Sequence, residues 1–122
     1  MKRLSVICEP WQVVIVPFPF SEAAGSKRRP AVVLSRRSFN DGGHVILAMI
    51  TTKSKPSWKG DTWIEDLPSS GLGQSCLVRL KLFTLDRRLL LRRIGRLGES
   101  DLRRVKENLV RCLGAWEKGP TH

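Results

Sequence analysis

Two short apolar runs on either side of a proline- and glycine-containing segment constrain the fold of this chain more than any other feature. The runs occupy residues 13–16 and 31–34 and are rich in valine. Continuous apolar runs of this length are typical of strands that are buried on both faces. Pro17 and Pro19 have no backbone N–H, so we expect the first strand to stop pairing there. The sequence therefore predicts two neighbouring strands joined by a turn over residues 21–26.

Three consecutive cations, Lys27, Arg28 and Arg29, stand where this segment meets the second run. Pro30 follows them and fixes the backbone directly before the predicted strand, so Arg29 is expected at the rigid base of the loop. Gly25 tolerates backbone angles that a bulkier residue resists, which leaves room for a ligand to approach. We therefore interpret the segment as a loop that holds an anionic group.

The rest of the chain is also rich in predicted strands. They cover residues 44–51, 62–65 as an edge strand, 76–82 and 89–94, with loops at 53–60 and 68–74 and a turn or short helical piece at 84–86. A cluster of turn-forming residues at 40–43 precedes the third strand.

The apolar period becomes helical after Glu99. The residues that recur at helical spacing are Leu102, Val105, Leu109, Leu113 and Trp116, and Gly98 with Asp101 resembles a weak N-terminal cap. Five or six strands, one late helix and no βαβ alternation predict a mainly β (α+β) fold. We expect a small SH3-like barrel of antiparallel strands with a C-terminal amphipathic helix. The 122 residues fit a single domain over residues 1–122.

Charge is the strongest compositional signal. The chain has 22 Lys and Arg residues against 11 Asp and Glu residues, a formal net charge of +11 and a pI near 10.6. Such an excess favours attraction to polyanions, with nucleic acid as the first candidate, or to an acidic protein partner. A cationic face that is only solvated explains the charge alone equally well.

The cysteines and the lengths of the apolar runs argue against several classes of protein. Cys8, Cys76 and Cys112 are widely spaced and form no CxxC pair, which argues against a disulfide framework and a zinc site. We interpret them as reduced packing residues. The apolar run at residues 4–8 is too short for a secretory signal, and no run approaches the length of a membrane span. We expect a cytoplasmic protein.

The possible chemistry narrows by elimination. The chain has two histidines, His44 beside a turn and His122, so a paired-histidine ribonuclease site is not expected. It contains no HExxH, Walker, GxSxG or GxGxxG motif, and its carboxylates are dispersed, so no set of metal ligands is visible. What remains is a site of guanidinium groups and hydroxyls, which can stabilise charge on a phosphate during transesterification.

Six blocks of sequence resemble those of a known family. They read PWQVVIVPFPF, GSKRRPAVVLS, AMITTK, DTWIEDL, RLKLFTLD and RRIGRLGESDL, and their order resembles that of the PemK/MazF family of toxin–antitoxin ribonucleases over roughly residues 9–113. The resemblance implies a compact, mostly β barrel of the type shared by MazF and the gyrase poison CcdB, usually a homodimer. It also implies sequence-selective cleavage of single-stranded mRNA, without a metal ion or cofactor, by attack of the 2′-hydroxyl on its adjacent phosphate.

The resemblance assigns a catalytic pair by match to the family's motifs. Arg29 of the RP motif and Thr51 after the third strand take these positions. Arg29 would offset the charge of the phosphorane-like transition state, and Thr51 would hydrogen-bond a phosphoryl oxygen. A guanidinium stays protonated at ordinary pH and is a poor base, so we favour charge stabilisation over proton transfer. Lys27 and Arg28 would grip flanking phosphates, the alternative being a solvated loop tip.

Four further residues are predicted to bind RNA. Thr52 adjoins the catalytic threonine, and Arg79 and Lys81 alternate onto one face of their strand, where they would extend the basic surface. Trp58, in a polar loop, would stack on an unpaired base, whereas Trp63 has the pattern of a packing residue. The alternatives are a threonine that satisfies local backbone groups, an exposed strand face, and a tryptophan in the core or a dimer interface.

Two residues depart from the family's pattern. Gln12 stands where members often have an aspartate, and Cys76 stands where many have a serine. If that carboxylate tunes the active arginine, or that serine helps bind RNA, cleavage would be altered here.

The resemblance also implies a partner, a small antitoxin whose acidic segment covers the basic groove. A net charge of +11 suits such a partner, since opposite potentials speed association. Two other functions remain open for this chain: a non-enzymatic topoisomerase poison like CcdB, and a catalytically inactive barrel that binds nucleic acid.

Overall fold

The computed structural model describes residues 8–18, 27–52 and 55–114. Within these ranges the strands are β1 (Gln12–Phe18), β2 (Lys27–Val33), β3 (His44–Thr51), β4 (Thr62–Trp63), β5 (Leu77–Asp86) and β6 (Arg92–Arg96). The helices are α1 (Arg37–Asn40), α2 (Leu67–Ser70) and α3 (Glu99–Cys112), with a 3-10 helix at Arg87–Leu89. The fold is mostly β, a curled half-barrel of antiparallel strands with a C-terminal helix, which confirms the predicted class.

The six strands form one sheet in the order β4-β5-β3-β2-β1-β6. All of its neighbouring strands are antiparallel. β4 and β6 therefore lie at the two edges, so the prediction of an edge strand near Thr62 is confirmed. The prediction of a third strand over His44–Thr51 is also confirmed, to the residue.

Alternation along the strands divides the buried side chains between two faces of the sheet. On one face, which we call the helix face, the cluster contains Val13, Val32, Ala48, Ile50, Val78 and Val105, with Leu102 and Leu109 of α3 packed against it. On the opposite face, which we call the far face, the cluster contains Val14, Val16, Ala31, Val33, Val45, Leu47, Phe83 and Leu85, with Met49 packed against it. Within each of these strands, even-numbered and odd-numbered residues therefore occupy opposite faces of the sheet.

The prediction that β1 stops pairing at Pro17 is wrong. Pro17 pairs with Arg28 and Phe18 pairs with Lys27, so the β1–β2 ladder continues to the end of the described part of β1. Among the described residues, β1 pairs with β6 only as far as Ile15 and beyond that point with β2 alone. A proline is tolerated where its missing N–H faces an unpaired side of a strand. The predicted turn over residues 21–26 lies outside the described residues.

Hydrogen bonds at helix ends set the bounds of the segments that the sequence analysis placed incorrectly. The predicted loop at 68–74 begins with α2, because the Asp66 carboxylate accepts a hydrogen bond from Ser69 N and Gly71 closes the helix with a φ of 77°. The predicted turn at 84–86 belongs to β5, and the chain turns at Arg87–Leu89 instead, where Asp86 accepts a hydrogen bond from Arg88 N. The predicted strand at 89–94 accordingly begins three residues later, as β6.

α3 begins at Glu99, as predicted, with Gly98 at its N-cap position. Asp101 is fully buried and does not cap its own helix. Its carboxylate accepts hydrogen bonds from the backbone N–H groups of Glu65, at 3.0 and 3.1 Å, and Asp66, at 2.9 Å. It also pairs with Arg104, which donates to Trp63 O at 3.0 Å. The carboxylate thus fastens α3 to the chain that joins β4 to α2.

The C-terminal helix, α3, ends at Cys112. Leu113 is the C-cap of α3, and the predicted helical residue Trp116 lies outside the described residues. In the part of the chain that the structure describes, no helix has the length and apolar character needed to cross a membrane.

Candidate active site

Arg29 and Thr51 lie at the same end of neighbouring strands. The β2–β3 ladder ends at the pair Ala31 and Met49, and continuing its register by two residues places Arg29 opposite Thr51. Arg29 is half-buried, and Thr51 is 6% exposed at the last position of β3. Both residues alternate onto the far face, so their side chains leave the sheet on the same side at the ends of neighbouring strands.

The neighbouring cations occupy strand positions rather than a loop tip. Lys27 and Arg28 are the first two residues of β2 and both are exposed. Strand alternation puts Lys27 on the far face with Arg29, whereas Arg28 points to the other side. Thr52 is exposed directly after β3. Lys27 and Thr52 therefore flank the pair of Arg29 and Thr51.

Arg79 does not form part of an exposed basic surface. Its side chain is 6% exposed and forms an ion pair with Asp61, whose side chain is 0% exposed. Arg79 donates from Nε to Asp61 Oδ1 at 3.1 Å and from Nη2 to Asp61 Oδ2 at 2.8 Å. Nη2 also donates to Ser57 Oγ at 2.8 Å. The guanidinium charge is therefore neutralised inside the protein, while Trp58, which covers it, reaches the surface.

Lys81 lies in an irregular part of β5. Ala48 pairs with Leu82 and Met49 pairs with Arg79, so Leu80 and Lys81 form a two-residue bulge. Because the bulge contains an even number of residues, the strand residues before and after it keep their alternation. Lys81 lies inside the bulge, so its predicted position on the same face as Arg79 stays a prediction. Lys81 is half-buried.

The two departures from the family's pattern present their side chains away from Arg29 and Thr51. Cys76 adjoins Leu77, the strand partner of Thr51, but its side chain is on the helix face. Gln12 is buried at the start of β1 and accepts a hydrogen bond from Glu9 N at 3.0 Å. It stands four residues from Val16, the partner of Arg29, which corresponds to about 13 Å along a strand. Cys76 is 2% exposed and belongs to the cluster on the helix face. Neither side chain therefore adjoins the predicted catalytic pair.

Asp61 is the residue near the site that the sequence analysis missed. Its carboxylate also accepts hydrogen bonds from the backbone N–H groups of Ser57 and Trp58, both at 2.9 Å. Its partner Arg79 is 18 residues further along the chain. Asp61 is the first residue of the DTWIEDL block, but an aspartate beside a polar loop carries no periodic signal, so the sequence did not indicate its buried ion pair.

We expect Asp61 to make folding stability depend on acid pH. Burial raises the pKa of its carboxyl, but hydrogen bonds from Arg79, Trp58 and Ser57 outweigh burial and lower the pKa below 3.8. The unfolded state therefore binds the proton more readily, and the stabilisation is lost as the pH falls below 3.8. Urea unfolding across this range should show a steeper loss of unfolding free energy for the wild type than for Asp61→Asn. Equal slopes would contradict the prediction. The Arg88 side chain lowers the pKa of Asp86 to about 2. Asp86 is present in both the wild type and the variant, so it does not contribute to the difference between their slopes.

A cavity of about 740 Å³ lies between α3 and β5, away from Arg29 and Thr51. Its lining includes Leu80, Leu82 and Leu109. The predicted catalytic pair therefore does not sit in this cavity. Among the described residues, no group of three or more His, Cys, Asp or Glu side chains could hold a metal ion.

Comparison with known proteins identifies a sequence family and several related folds. Residues 9–113 match the model of the family described as PemK-like, MazF-like toxin of type II toxin–antitoxin system. No curated protein sequence matches the chain significantly. One similar solved structure is an endoribonuclease in complex with its cognate antitoxin from a Mycobacterial species, with a TM-score of 0.72 and 17% identity over 88% of this chain and 96% of that one.

Two further structures show the same likeness. MazF from Deinococcus radiodurans has a TM-score of 0.68 and 23% identity, covering 88% of this chain and 97% of its own. The Mycobacterium tuberculosis toxin MazF-mt6 has a TM-score of 0.64 and 23% identity, covering 80% of this chain and 91% of its own. The likeness at these identities concerns the fold, and the barrel type expected from the sequence is confirmed.

Proposed function

This chain belongs to the PemK-like, MazF-like toxin family of type II toxin–antitoxin systems, and on that premise we propose that it is a sequence-selective endoribonuclease. Its substrate is single-stranded mRNA, which it cleaves without a metal ion. The observation that supports the proposal is that Arg29 and Thr51 lie at the same end of the neighbouring strands β2 and β3 and alternate onto one face of the sheet. A fixed guanidinium beside a hydroxyl suits the stabilisation of a phosphate that gains negative charge.

The proposed reaction is an internal transesterification of the RNA. The 2′-hydroxyl gives its proton to solvent as its oxygen attacks the adjacent phosphorus. The bond from that phosphorus to the 5′-oxygen of the next nucleotide breaks, and the 5′-oxygen takes a proton from solvent. The products are a cyclic phosphate and a 5′-hydroxyl. Arg29 donates hydrogen bonds to the phosphorane oxygens, and Thr51 donates one more. Because a guanidinium is a poor base, we assign charge stabilisation to Arg29 and both proton transfers to solvent.

Side chains around this pair are proposed to bind the RNA strand. Lys27 and Arg28 neutralise flanking phosphates, and Thr52 adds a hydroxyl beside Thr51. Lys81 extends the cationic surface along β5. The support for this assignment is the exposure of Lys27, Arg28 and Thr52 at the end of the strands that carry the proposed catalytic pair. Lys27 shares the face of Arg29, whereas Arg28 lies on the opposite side of β2 and is assigned a phosphate further along the RNA.

The proposed protein partners are a cognate antitoxin and a second copy of the chain. A net charge of +11 favours an antitoxin segment rich in acidic residues, and one similar structure is an endoribonuclease bound to its cognate antitoxin. The proposed location is the cytoplasm, where mRNA is translated. Family membership favours this toxin function over a topoisomerase poison like CcdB.

The function is tested by incubating the purified protein with a long mRNA in excess EDTA. We expect discrete cuts whose products carry cyclic phosphate ends, located by primer extension. A parallel gyrase supercoiling assay should show no inhibition. Inhibition of gyrase without RNA cleavage would support the topoisomerase poison instead. RNA binding without any product would support a catalytically inactive barrel.

A further inference from the structure

Several contacts fasten the loop before β4 to β5 at one buried arginine. Three are the hydrogen bonds from Arg79 to Asp61 and Ser57, and the fourth is a cation–π contact that places Arg79 Cζ 5.2 Å from the centroid of the Trp58 ring. The Asp61 carboxylate then binds the backbone N–H groups of Ser57 and Trp58. The loop is therefore held at its backbone, at a hydroxyl and at the indole.

These contacts determine which part of Trp58 is accessible. The guanidinium lies beneath the indole ring, and the Arg79 side chain is 6% exposed. Trp58 itself is 46% exposed. One face of the indole thus covers a buried cation, and the other is presented to solvent. An exposed aromatic ring held in one orientation loses little conformational entropy on binding, unlike a free surface side chain.

The residue that holds the indole is a neighbour of the proposed catalytic pair. Arg79 pairs with Met49, and Leu77 pairs with Thr51, so Thr51 and Arg79 are diagonal neighbours across β3 and β5. Diagonal neighbours on one face are about 7–8 Å apart. This separation is comparable to the spacing of successive nucleotides in an extended strand. The indole lies a further 5.2 Å beyond Cζ of the Arg79 side chain, so a base stacked on it would belong to a nucleotide one or two positions from a phosphate held at Thr51.

We propose that Arg79 and Asp61 form a positioning pair, which holds Trp58 as a stacking surface for one unpaired base of the RNA. The inference rests on the proposed function and assigns Arg79 a different role in it from direct phosphate binding. Its charge is already neutralised by Asp61, so it acts through the indole. Stacking of a base on an aromatic ring tolerates any base, so this subsite contributes affinity rather than sequence preference.

The test measures kcat and KM for cleavage of an RNA oligonucleotide that contains one mapped site. Loss of one stacked base should raise KM about tenfold in Trp58→Ala, with a much smaller change in kcat. Trp58→Phe keeps an aromatic face and should retain most of the affinity. The control is Phe39→Ala, since Phe39 is exposed to a similar degree, 49%, on α1. Its KM should not change.

A double-mutant cycle separates positioning from a general structural role. Asp61→Asn should raise KM several-fold, and in a Trp58→Ala background it should raise KM no further, because the indole it positions is absent. An equal rise in both backgrounds overturns the inference.

A direct measurement covers the case in which Asp61→Asn does not fold. Titration of the wild type with a 2′-O-methyl RNA, which lacks the attacking hydroxyl, should quench tryptophan fluorescence, and Trp58→Phe should lose most of the quench. An unchanged quench in Trp58→Phe overturns the inference, as does an unchanged KM in Trp58→Ala. Both results leave the proposed function standing, whereas a wild type that cleaves no RNA overturns the proposed function and this inference with it.

Discussion

Arg29→Ala is expected to lower kcat for RNA cleavage by about a hundredfold to a thousandfold, the usual loss when one donor to a developing oxyanion is removed. Arg29, in β2, pairs with Val16 of β1 and is followed by Pro30. Its backbone is therefore fixed both by strand pairing and by the proline. In the proposed mechanism, this fixed backbone aims the guanidinium at a phosphate bound beside Thr51. The measurement is the initial rate of cleavage of a mapped RNA site at saturating substrate, with folding of the variant checked by thermal unfolding.

Two further variants distinguish the fixed guanidinium from positive charge in general. Arg29→Lys keeps the charge but loses the planar fork, and we expect its kcat to lie between those of the wild type and Arg29→Ala. Arg92→Ala removes an exposed arginine from edge strand β6, where pairing with Ile15 puts it on the other face of the sheet. It should cleave as the wild type does. Equal losses in Arg29→Ala and Arg92→Ala would show that only total charge matters.

Asp101→Ala is expected to lower the free energy of unfolding by about 3–5 kcal/mol, because it leaves buried donors without an acceptor. The carboxylate accepts from the backbone N–H groups of Glu65 and Asp66 and pairs with Arg104. Among the described residues, the Asp101 carboxylate is the acceptor for both N–H groups. The measurement is the change in unfolding free energy from urea denaturation.

The controls for this prediction lie at the same helix end. Asp101→Asn keeps one carbonyl oxygen and should lose about half as much stability, since it can still accept one of the backbone hydrogen bonds. Glu99→Ala removes an exposed carboxylate from the same first turn of α3 and should cost less than about 1 kcal/mol. A loss in Asp101→Ala no larger than in Glu99→Ala would contradict the proposed fastening of α3.

Apolar patterns predicted the centres of the strands well and their ends less well. The run from His44 to Thr51 is apolar nearly throughout, and its predicted bounds are those of β3. β2 begins four residues before its apolar run, at Lys27, because the cations there pair with Pro17 and Phe18. Exposed polar residues at a strand end carry no hydrophobic period, so only the partner strand reveals that they are paired.

The same reasoning explains the shifted turn after β5. Residues 84–86 are paired with His44, Val45 and Ile46 and so extend the strand. The 3-10 helix begins only where Asp86 caps it. A turn-like composition was a weaker determinant there than a complete ladder with β3.

The proposed catalytic pair is the part of the candidate site that could be predicted from the sequence. The RP motif and the threonine at the end of β3 are local features, and the structure brings them to neighbouring strands. The predicted role of Arg79 depended on the assumption that an arginine on a strand face is exposed. That assumption failed because Asp61, from a loop distant in sequence, neutralises it within the protein.

The sequence by itself determined the strand-rich barrel, the late amphipathic helix, the basic character of the chain and the position of Arg29 directly before a proline and a buried strand. Each of these depends on residue type and short-range spacing. Only the tertiary structure decided that Asp61 holds Arg79 beneath Trp58, and that Asp101 of α3 binds the chain after β4. The physical reason is that such contacts join residues 18 to 36 positions apart, and their stabilisation depends on burial that no local pattern records.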